Sequence, residues 1–296
     1  MAAAIPLSKL VVVGVGLIGG SFAMALRQGR MVSEVVGMGR SAARLDEALN
    51  LGVIDRKATE WADALRGADF VFIATPVGQM ESIMGALAPY LDVNTLITDG
   101  GSTKQNVVAA AYRQLGPRIS RFVPSHPIAG AERSGVGAAT AGLYRGKRVV
   151  MTPLAENRRE AVARVRDLWE ACGARVIDMA PEEHDRVFAA VSHLPHLLAF
   201  GLVHDLAQRY NAQQLFGFAA SGFRDFTRIA GSHPEMWRDI CVANREALLV
   251  EIDLYLAELA RLRELVSKAD GARLEVVFER ARKARDIWAA TTSQQP

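Results

Sequence analysis

The sequence predicts an α/β domain built on a mainly parallel sheet, followed by an all-helical domain. Short apolar and β-branched runs alternate with longer amphipathic stretches over the first 180 residues, which is the pattern of successive strand–helix–strand units. Beyond Pro181 the apolar residues recur at intervals of three and four, and no strand is indicated. The predicted domains are therefore residues 1–179 and residues 180–296.

Seven short runs in the first domain are predicted to be strands, because each is rich in β-branched or aromatic residues and ends near a glycine, proline or polar turn. They are Leu10–Val13, Val35–Met38, Phe70–Ile73, Thr95–Thr98, Arg121–Val123, Val149–Met151 and Val176–Ile177.

The composition is that of a soluble globular protein. Half of the 296 residues are apolar and 23% are charged, and the formal net charge is only +3, which argues against a disordered chain and against a nucleic-acid partner. Cys172 and Cys241 are too far apart in sequence to indicate a disulfide framework or a thiolate metal site. The apolar run after Lys9 imitates a secretory signal, but glycines interrupt it, so we expect a cytoplasmic protein with no membrane partner.

A long helix with a narrow apolar seam is predicted near the C-terminus. Two interpretations stay open, an intramolecular helix pair and a subunit interface. The seam consists of Leu248, Ile252, Tyr255, Leu259, Leu262 and Val266.

The first predicted strand runs directly into a glycine motif that is typical of dinucleotide binding. In the spacing Gly14-x-Gly16-x-x-Gly19, the first glycine permits the turn, the second lets a pyrophosphate approach the backbone, and the third lets the helix pack on the strand. Leu17 and Ile18 occupy the first turn of the helix, whose N–H groups and partial positive charge favour a phosphate. The alternative is a glycine-rich turn without a ligand.

The residues after the second strand indicate which dinucleotide binds. This strand normally ends in an acidic residue that accepts hydrogen bonds from the adenosine ribose, but here it runs into Gly39, Arg40 and Ser41. Without the carboxylate, a 2′-phosphate is not repelled, and Arg40 and Ser41 offer donors to it. We therefore predict NADP in preference to NAD. The alternative is that Arg40 is a solvated surface charge and both cofactors bind.

Three further loops follow strand ends on the carboxyl edge of the sheet, where ligands of open α/β sheets lie. Thr75, before a strand-ending proline, is expected to line the cofactor. Ser102 lies in the loop after the fourth predicted strand, and His126 lies between two prolines after the fifth. A lone histidine is often only a turn residue, but this position is where a nicotinamide ring would be.

The helical half contributes its own polar residues. His193 and His196 could share a helix face, but no nearby carboxylate or thiolate completes a metal site, so no metal is predicted. Arg228 has apolar neighbours, which suggests that it points inward, and a buried arginine needs an anion. Asp225 or a ligand could supply that anion equally well.

Five motifs together resemble the prephenate/arogenate (cyclohexadienyl) dehydrogenase family of tyrosine biosynthesis, in order and spacing from about Lys9 to about Glu246. They are Gly14-x-Gly16-x-x-Gly19-Gly20-Ser21, Gly101-Ser102-x-Lys104, Ser125-His126-Pro127-x-Ala129-Gly130-x-Glu132-x-Ser134-Gly135, Ser192-His193-Leu194-Pro195-His196 and Asp225-Phe226-Thr227-Arg228. The resemblance implies a Rossmann-type dinucleotide-binding domain followed by an all-helical domain that forms a homodimer.

The resemblance also implies an activity, the NAD(P)-dependent oxidative decarboxylation of a cyclohexadienol. Carried over by position, His126 accepts the proton of the C4 hydroxyl, Ser102 orients His126 and that hydroxyl, and Arg228 binds the carboxylate of a small anionic substrate. The same comparison assigns Ser192, His196 and Trp237 to the substrate pocket and gives His193 a supporting role.

Some points remain open at this stage. Gly39 stands where the family commonly has an acidic residue, which favours NADP, and the choice between prephenate and arogenate is undecided. Two other readings remain: another two-domain reductase of β-hydroxyacid or pyrroline-carboxylate type, and a nucleotide-sensing module without turnover.

Overall fold

A computed structural model describes residues 5–131 and 133–293. Glu132 of the third motif and the last three residues of the polar tail lie outside this part, whereas Thr291–Ser293 end the last helix. The chain forms two compact units, one up to Arg245 and one from Glu246 onward.

Among the described residues of the first unit, eight strands form two sheets. Strands β1, β2, β3, β4 and β5 form a parallel sheet in the order β3-β2-β1-β4-β5, and β6, β7 and β8 form a small sheet in that order. The strands are β1 (Leu7–Val13), β2 (Val32–Met38), β3 (Arg56–Lys57), β4 (Phe70–Ile73), β5 (Leu96–Asp99), β6 (Ser125–Pro127), β7 (Arg148–Met151) and β8 (Arg175–Asp178).

Six helices alternate with the strands in the part of the chain that the structure describes, and every longer element described after β8 is helical. The helices among the strands are α1 (Leu17–Gln28), α2 (Ala42–Asn50), α3 (Trp61–Leu65), α4 (Met80–Leu87), α5 (Gln105–Leu115) and α6 (Arg159–Ala171). Those that follow are α7 (Pro181–Phe188), α8 (Leu194–Ala207), α9 (Ala212–Gly217), α10 (Ser221–Thr227), α11 (Pro234–Ala243), α12 (Arg245–Ser267) and α13 (Gly271–Ser293).

The large sheet is buried on both faces, which explains why its strands are continuous apolar runs. Alternate side chains of β1 enter different cores: Leu10 and Val12 join one buried cluster, while Val11 and Val13 join the other. From β1 the chain continues to β2 and β3 on one side of the sheet and then crosses to β4 and β5 on the other side. The topological switch point therefore lies at the carboxyl end of β1.

The structure corrects the sequence prediction for one strand. Arg121–Val123 is not a strand: a 3₁₀ helix runs from Gly116 to Arg121, and Phe122 makes only an isolated bridge with Ile97. The strand begins instead at Ser125, and it pairs antiparallel with β7 in a second sheet. Periodicity could not reveal this, because two apolar residues, Phe122 and Val123, fit a bridge as well as a strand.

Helices α7 and α8 are joined by a π-helical turn, Ala189–His193, and run as one helix from Pro181 to Ala207. By length and apolar composition alone, this helix would suffice to cross a membrane. It also carries five of the site residues described below, His184, Asp185, Ser192, His193 and His196, so we interpret its composition as that of a wall of the site.

In the second unit, α12 contains the predicted seam but is apolar over more of its surface than the sequence suggested. Leu248 is buried and Val266 is exposed, although both belong to the seam. Leu249, Val250 and Leu254 lie off the seam and are also exposed. The seam is therefore part of a broader apolar surface.

Candidate active site

The glycine turn between β1 and α1 has the geometry that close approach of a ligand requires. Gly14 has a φ of +95°, and a Cβ there would lie 2.6 Å from the carbonyl oxygen of Ala74. A Cβ on Gly19 would lie 2.3 Å from the carbonyl oxygen of Gly14. By contrast, a Cβ on Gly16 would meet nothing within 4 Å. The first and third glycines are therefore required by packing, whereas the second faces open space.

Two features at this turn fit a dinucleotide. Gly16 caps α1 without any side-chain hydrogen bond, so no capping side chain occupies the first-turn N–H groups, which include those of Leu17 and Ile18 and favour a phosphate. Thr75 packs beside Gly14, and within the described part of the chain its buried Oγ1 has no hydrogen-bond partner. A phosphate or ribose oxygen would satisfy these donors.

At the end of β2, Ser41 has a structural function. It caps α2, and its Oγ accepts a hydrogen bond from the Arg44 N–H at 3.3 Å. Arg40 is exposed just before this helix N-terminus. A Cβ on Gly39 would have only Leu45 nearby, at 3.8 Å, so an acidic side chain would fit there. Packing therefore does not explain the glycine.

A buried ion pair fixes the loop after β5. Lys104 Nζ lies 2.5 Å from Asp99 Oδ2 and donates to the Ser125 carbonyl oxygen at 2.7 Å, and neither charged side chain is exposed. Asp99 also accepts hydrogen bonds from the backbone N–H groups of Gly101 and Ser125, at 2.8 and 3.1 Å. The pair thus joins the loop that carries Ser102 to the strand that carries His126.

Ser125 has a second set of buried hydrogen bonds on its hydroxyl. Its Oγ donates to the Asp99 carbonyl oxygen at 2.6 Å, lies 2.9 Å from Thr98 Oγ1, and accepts from Trp169 Nε1 at 3.1 Å. These contacts hold β6 at one position and therefore fix the backbone of the next residue, His126. His126 lies inside a short strand, so the alternative of a turn residue does not apply.

The His126 ring is the first member of a chain of hydrogen bonds that we call the histidine relay: His126, His184 and Asp185. His126 Nδ1 lies 2.9 Å from His184 Nε2, and His184 Nδ1 lies 2.8 Å from Asp185 Oδ1. Both imidazole rings also pack against Phe188, with centroids 5.0 and 4.5 Å from it. The family resemblance gives Ser102 the role of orienting His126, and that role stays a prediction; the partner of His126 Nδ1 in the structure is His184.

Asp185 is anchored where α5 begins. Its carboxylate accepts hydrogen bonds from the backbone N–H groups of Lys104 and Gln105, at 2.7 and 2.9 Å. Asn244 Nδ2 donates to the Asp185 carbonyl oxygen at 2.8 Å and lies 3.0 Å from His193 Nδ1. His193 is buried, so it belongs to the support of the site.

Burial keeps the histidines of the site neutral. It holds the pKa of His126 well below the usual 6.5, and neighbouring His184, Lys104 and His193 lower it further. Burial is also the main cause that lowers the pKa of His193, to about 4. A neutral imidazole has one ring nitrogen free to accept a proton, which is what a general base requires.

The second wall of the site comes from the π-helical turn and α11. Pro195 has no N–H to complete an α-helical turn, and the π turn ends two residues before it, at His193. His196 Nδ1 donates to the Ser192 carbonyl oxygen at 2.8 Å, and the His196 ring stacks on Trp237 at 3.6 Å between centroids. Trp237 Nε1 is buried, and none of the described residues accepts its hydrogen bond.

The exposure of the Arg228 side chain differs from the sequence prediction. It begins a 3₁₀ turn after α10 and is exposed, as is Asp225, so the two do not form a buried pair. Its positive charge nevertheless acts on His196 in the second wall. Burial is the main cause that lowers the pKa of His196, and the charge of Arg228 lowers it further. Among the described residues, no group of three or more His, Cys, Asp or Glu side chains could hold a metal ion.

Family profiles cover most of the chain. The profile described as the nucleotide-binding domain of prephenate dehydrogenase matches residues 22–178, and that of the prephenate dehydrogenase dimerization domain matches residues 180–280. This chain belongs to the prephenate dehydrogenase family. The predicted fold class, a Rossmann-type domain followed by a helical one, is confirmed, and the protein is an NAD(P)-dependent oxidoreductase.

Individual members of the prephenate dehydrogenase family are similar over nearly the whole chain. The prephenate dehydrogenase of Bacillus subtilis is 39% identical over 279 residues, covering 94% of this chain and 75% of that protein. The cyclohexadienyl dehydrogenase of Zymomonas mobilis is 36% identical, covering 93% and 94%. A crystal structure of the Aquifex aeolicus prephenate dehydrogenase with hydroxyphenyl propionate and NAD+ has a TM-score of 0.89 and 37% identity, covering 96% of this chain and 99% of that one.

Three residues of this prephenate dehydrogenase family site were not found from the sequence: His184, Asp185 and Asn244. In sequence, His184 and Asp185 lie among charged residues after Pro181, which is typical of a solvated first helical turn. Both are buried in the structure, because α7 packs this turn against the start of α5. Two adjacent polar residues give no periodic pattern from which such packing could be predicted.

Proposed function

We propose that the protein catalyses the oxidative decarboxylation of prephenate or arogenate, producing 4-hydroxyphenylpyruvate or tyrosine. The observation that carries this proposal is the placement of His126: a neutral, hydrogen-bonded imidazole on a strand fixed to the β5 loop. Family membership supports the same reaction.

His126 takes the proton of the C4 hydroxyl of the substrate as the C4 carbon is oxidised. The nicotinamide, when bound, supplies the hydride acceptor. Loss of the ring carboxylate as carbon dioxide then leaves its electron pair in the ring, which becomes aromatic, and the proton on His126 returns to the phenolic oxygen. No dedicated base is needed for decarboxylation, because the new carbonyl group and aromaticity draw the electrons.

Four residues bind the substrate in this proposal. Arg228 supplies positive charge for a carboxylate, which suits an anionic substrate. Trp237 supplies a buried N–H donor that lacks a protein acceptor in the described structure, and His196 supplies the stacked ring beside it. Ser192 holds His196, and its hydroxyl lies at the same turn.

We further propose that NADP is preferred over NAD. Gly39 leaves the end of β2 without a carboxylate, and the exposed Arg40 lies next to the N-terminus of α2. Gly14, Gly16, Leu17, Ile18, Gly19 and Thr75 bind the shared part of the dinucleotide, and Arg40 and Ser41 bind the 2′-phosphate.

The protein is proposed to be a cytoplasmic homodimer, with residues 1–179 as the dinucleotide-binding domain and 180–296 as the dimerisation domain. The match of a dimerization-domain profile to residues 180–280 supports this assignment, as does the exposed apolar surface of α12. Light scattering coupled to size-exclusion chromatography tests it, and a monomeric mass at micromolar concentration would contradict it.

Absorbance of the reduced nicotinamide tests the activity in four assays, with prephenate and arogenate each combined with NAD and NADP. We expect turnover with at least one substrate and a higher kcat/KM with NADP. No reduction in any combination would refute the proposed function, whereas equal use of both cofactors would refute only the preference.

A further inference from the structure

The hydrogen bonds of the histidine relay determine the protonation of the His126 ring as well as its position. Its members are connected in series, and the last one, Asp185, is held by two backbone N–H groups at the start of α5. Each hydrogen bond in such a series needs one donor and one acceptor. The state of Asp185 therefore determines where the protons lie on both imidazole rings.

Asp185 is ionised. Burial alone would raise the pKa of its carboxyl group, but hydrogen bonds from His184 and from the Gln105 and Lys104 N–H groups outweigh burial, so that its pKa lies below the usual value. An ionised carboxylate can only accept hydrogen bonds. His184 must consequently carry a proton on Nδ1.

His184 is neutral, because burial lowers its pKa more than the hydrogen bond to Asp185 raises it. With its single proton on Nδ1, its Nε2 can only accept. The partner of that atom is His126 Nδ1, at 2.9 Å, which must therefore be the donor. A neutral His126 then has its unshared electron pair on Nε2.

This inference rests on the proposed function and deepens it. We propose that His184 and Asp185 are positioning residues that hold His126 as the Nδ1–H tautomer, so that Nε2 is the atom that takes the substrate proton. Without them, His126 is free to adopt the Nε2–H form, in which the same atom is a donor and cannot act as a base. The arrangement also lets His126 donate to His184 after protonation, so the imidazolium keeps a hydrogen-bond partner.

Nuclear magnetic resonance of ¹⁵N-histidine-labelled holoprotein tests the tautomer directly, since the two ring nitrogens have distinct shifts when protonated and unprotonated. The chain has only 6 histidines. His126→Asn identifies the signals of that residue. We expect protonated Nδ1 and unprotonated Nε2 in the wild-type protein, and the reverse assignment would overturn the proposal whether or not the enzyme turns over prephenate.

Two variants of His184 test the consequence for turnover. His184→Phe keeps a ring of similar size but removes both hydrogen bonds, so we expect the His126 signals to shift toward the Nε2–H form and kcat to fall by about 10- to 100-fold with little change in KM. His184→Gln retains an acceptor for His126 Nδ1, so we expect it to recover part of the lost kcat.

His204→Phe is the matched control, because His204 lies exposed on α8 and the same substitution there leaves the relay intact. It should leave kcat unchanged. A His184→Phe protein with wild-type His126 signals and wild-type kcat would overturn the proposal. If the His184→Phe protein does not fold, the tautomer of His126 in the wild-type protein and the kcat of the His184→Gln variant still test the proposal.

Discussion

Substitution of Lys104 by methionine tests whether the buried ion pair holds the β5 and β6 loops together. Methionine has nearly the same length, so the packing changes little, but Asp99 loses its counter-charge and keeps two backbone donors among the residues that the structure describes. Neither side chain of the pair is exposed. Removing one partner of a fully buried pair costs about 3–5 kcal/mol of unfolding free energy, because the remaining charge is left buried.

The assay is urea unfolding of the wild-type and variant proteins, followed by circular dichroism and tryptophan fluorescence. Lys57→Met is the matched control: Lys57 pairs with Asp46, but their side chains are 41% and 50% exposed, so about 0–1 kcal/mol is expected. The double variant Lys104→Met, Asp99→Asn should be more stable than Lys104→Met alone, because the buried charge is gone. Equal effects of Lys104→Met and Lys57→Met would refute the reasoning.

Four further predictions concern activity, three of them for substitutions and one for the pH dependence of the wild-type protein. His126→Asn should lower kcat by about 10²- to 10⁴-fold with nearly normal substrate binding. In the wild-type protein, kcat/KM should fall only as the pH drops through the lowered pKa of His126, well below 6.5. A decline in kcat/KM that begins above pH 6.5 would contradict the argument that burial lowers this pKa. Arg228→Ala should chiefly raise the KM for the substrate, by about 10- to 100-fold, since it removes a charge-assisted hydrogen bond. An unchanged KM in steady-state kinetics would exclude a carboxylate-binding role for Arg228. Gly39→Asp should raise the KM for NADP but not the KM for NAD, because the added carboxylate has room and repels a 2′-phosphate. Parallel titrations with the two cofactors measure this. An equal rise of both KM values would contradict the prediction and indicate misfolding of the turn.

Local rules were sufficient for the dinucleotide turn and the order of the elements. Gly14 and Gly19 are recognisable in sequence because the turn and the packing that they permit involve neighbouring residues and one adjacent strand. The strands of the large sheet are recognisable for a similar reason: a sheet covered on both faces needs continuous apolar runs, such as Leu10–Val13.

The sequence was less informative where burial depends on distant partners. Arg228 was expected to point inward because its neighbours are apolar, yet it is exposed in the structure. His184 and Asp185 show the opposite case, since they lie in a charged segment and are buried. In both cases the neighbours in sequence are not the neighbours in space, so local composition has no bearing on the environment of the side chain.

The amino-acid sequence by itself thus determined the family, the alternating fold and the candidate base, because these follow from spacings within single strand–turn–helix units. Only the tertiary structure decided which atom of that base is free to react. The protonation of His126 depends on His184 and, through it, on Asp185, nearly 60 residues further along the chain. Hydrogen bonds over such a separation form only after α5, α7 and β6 have packed together.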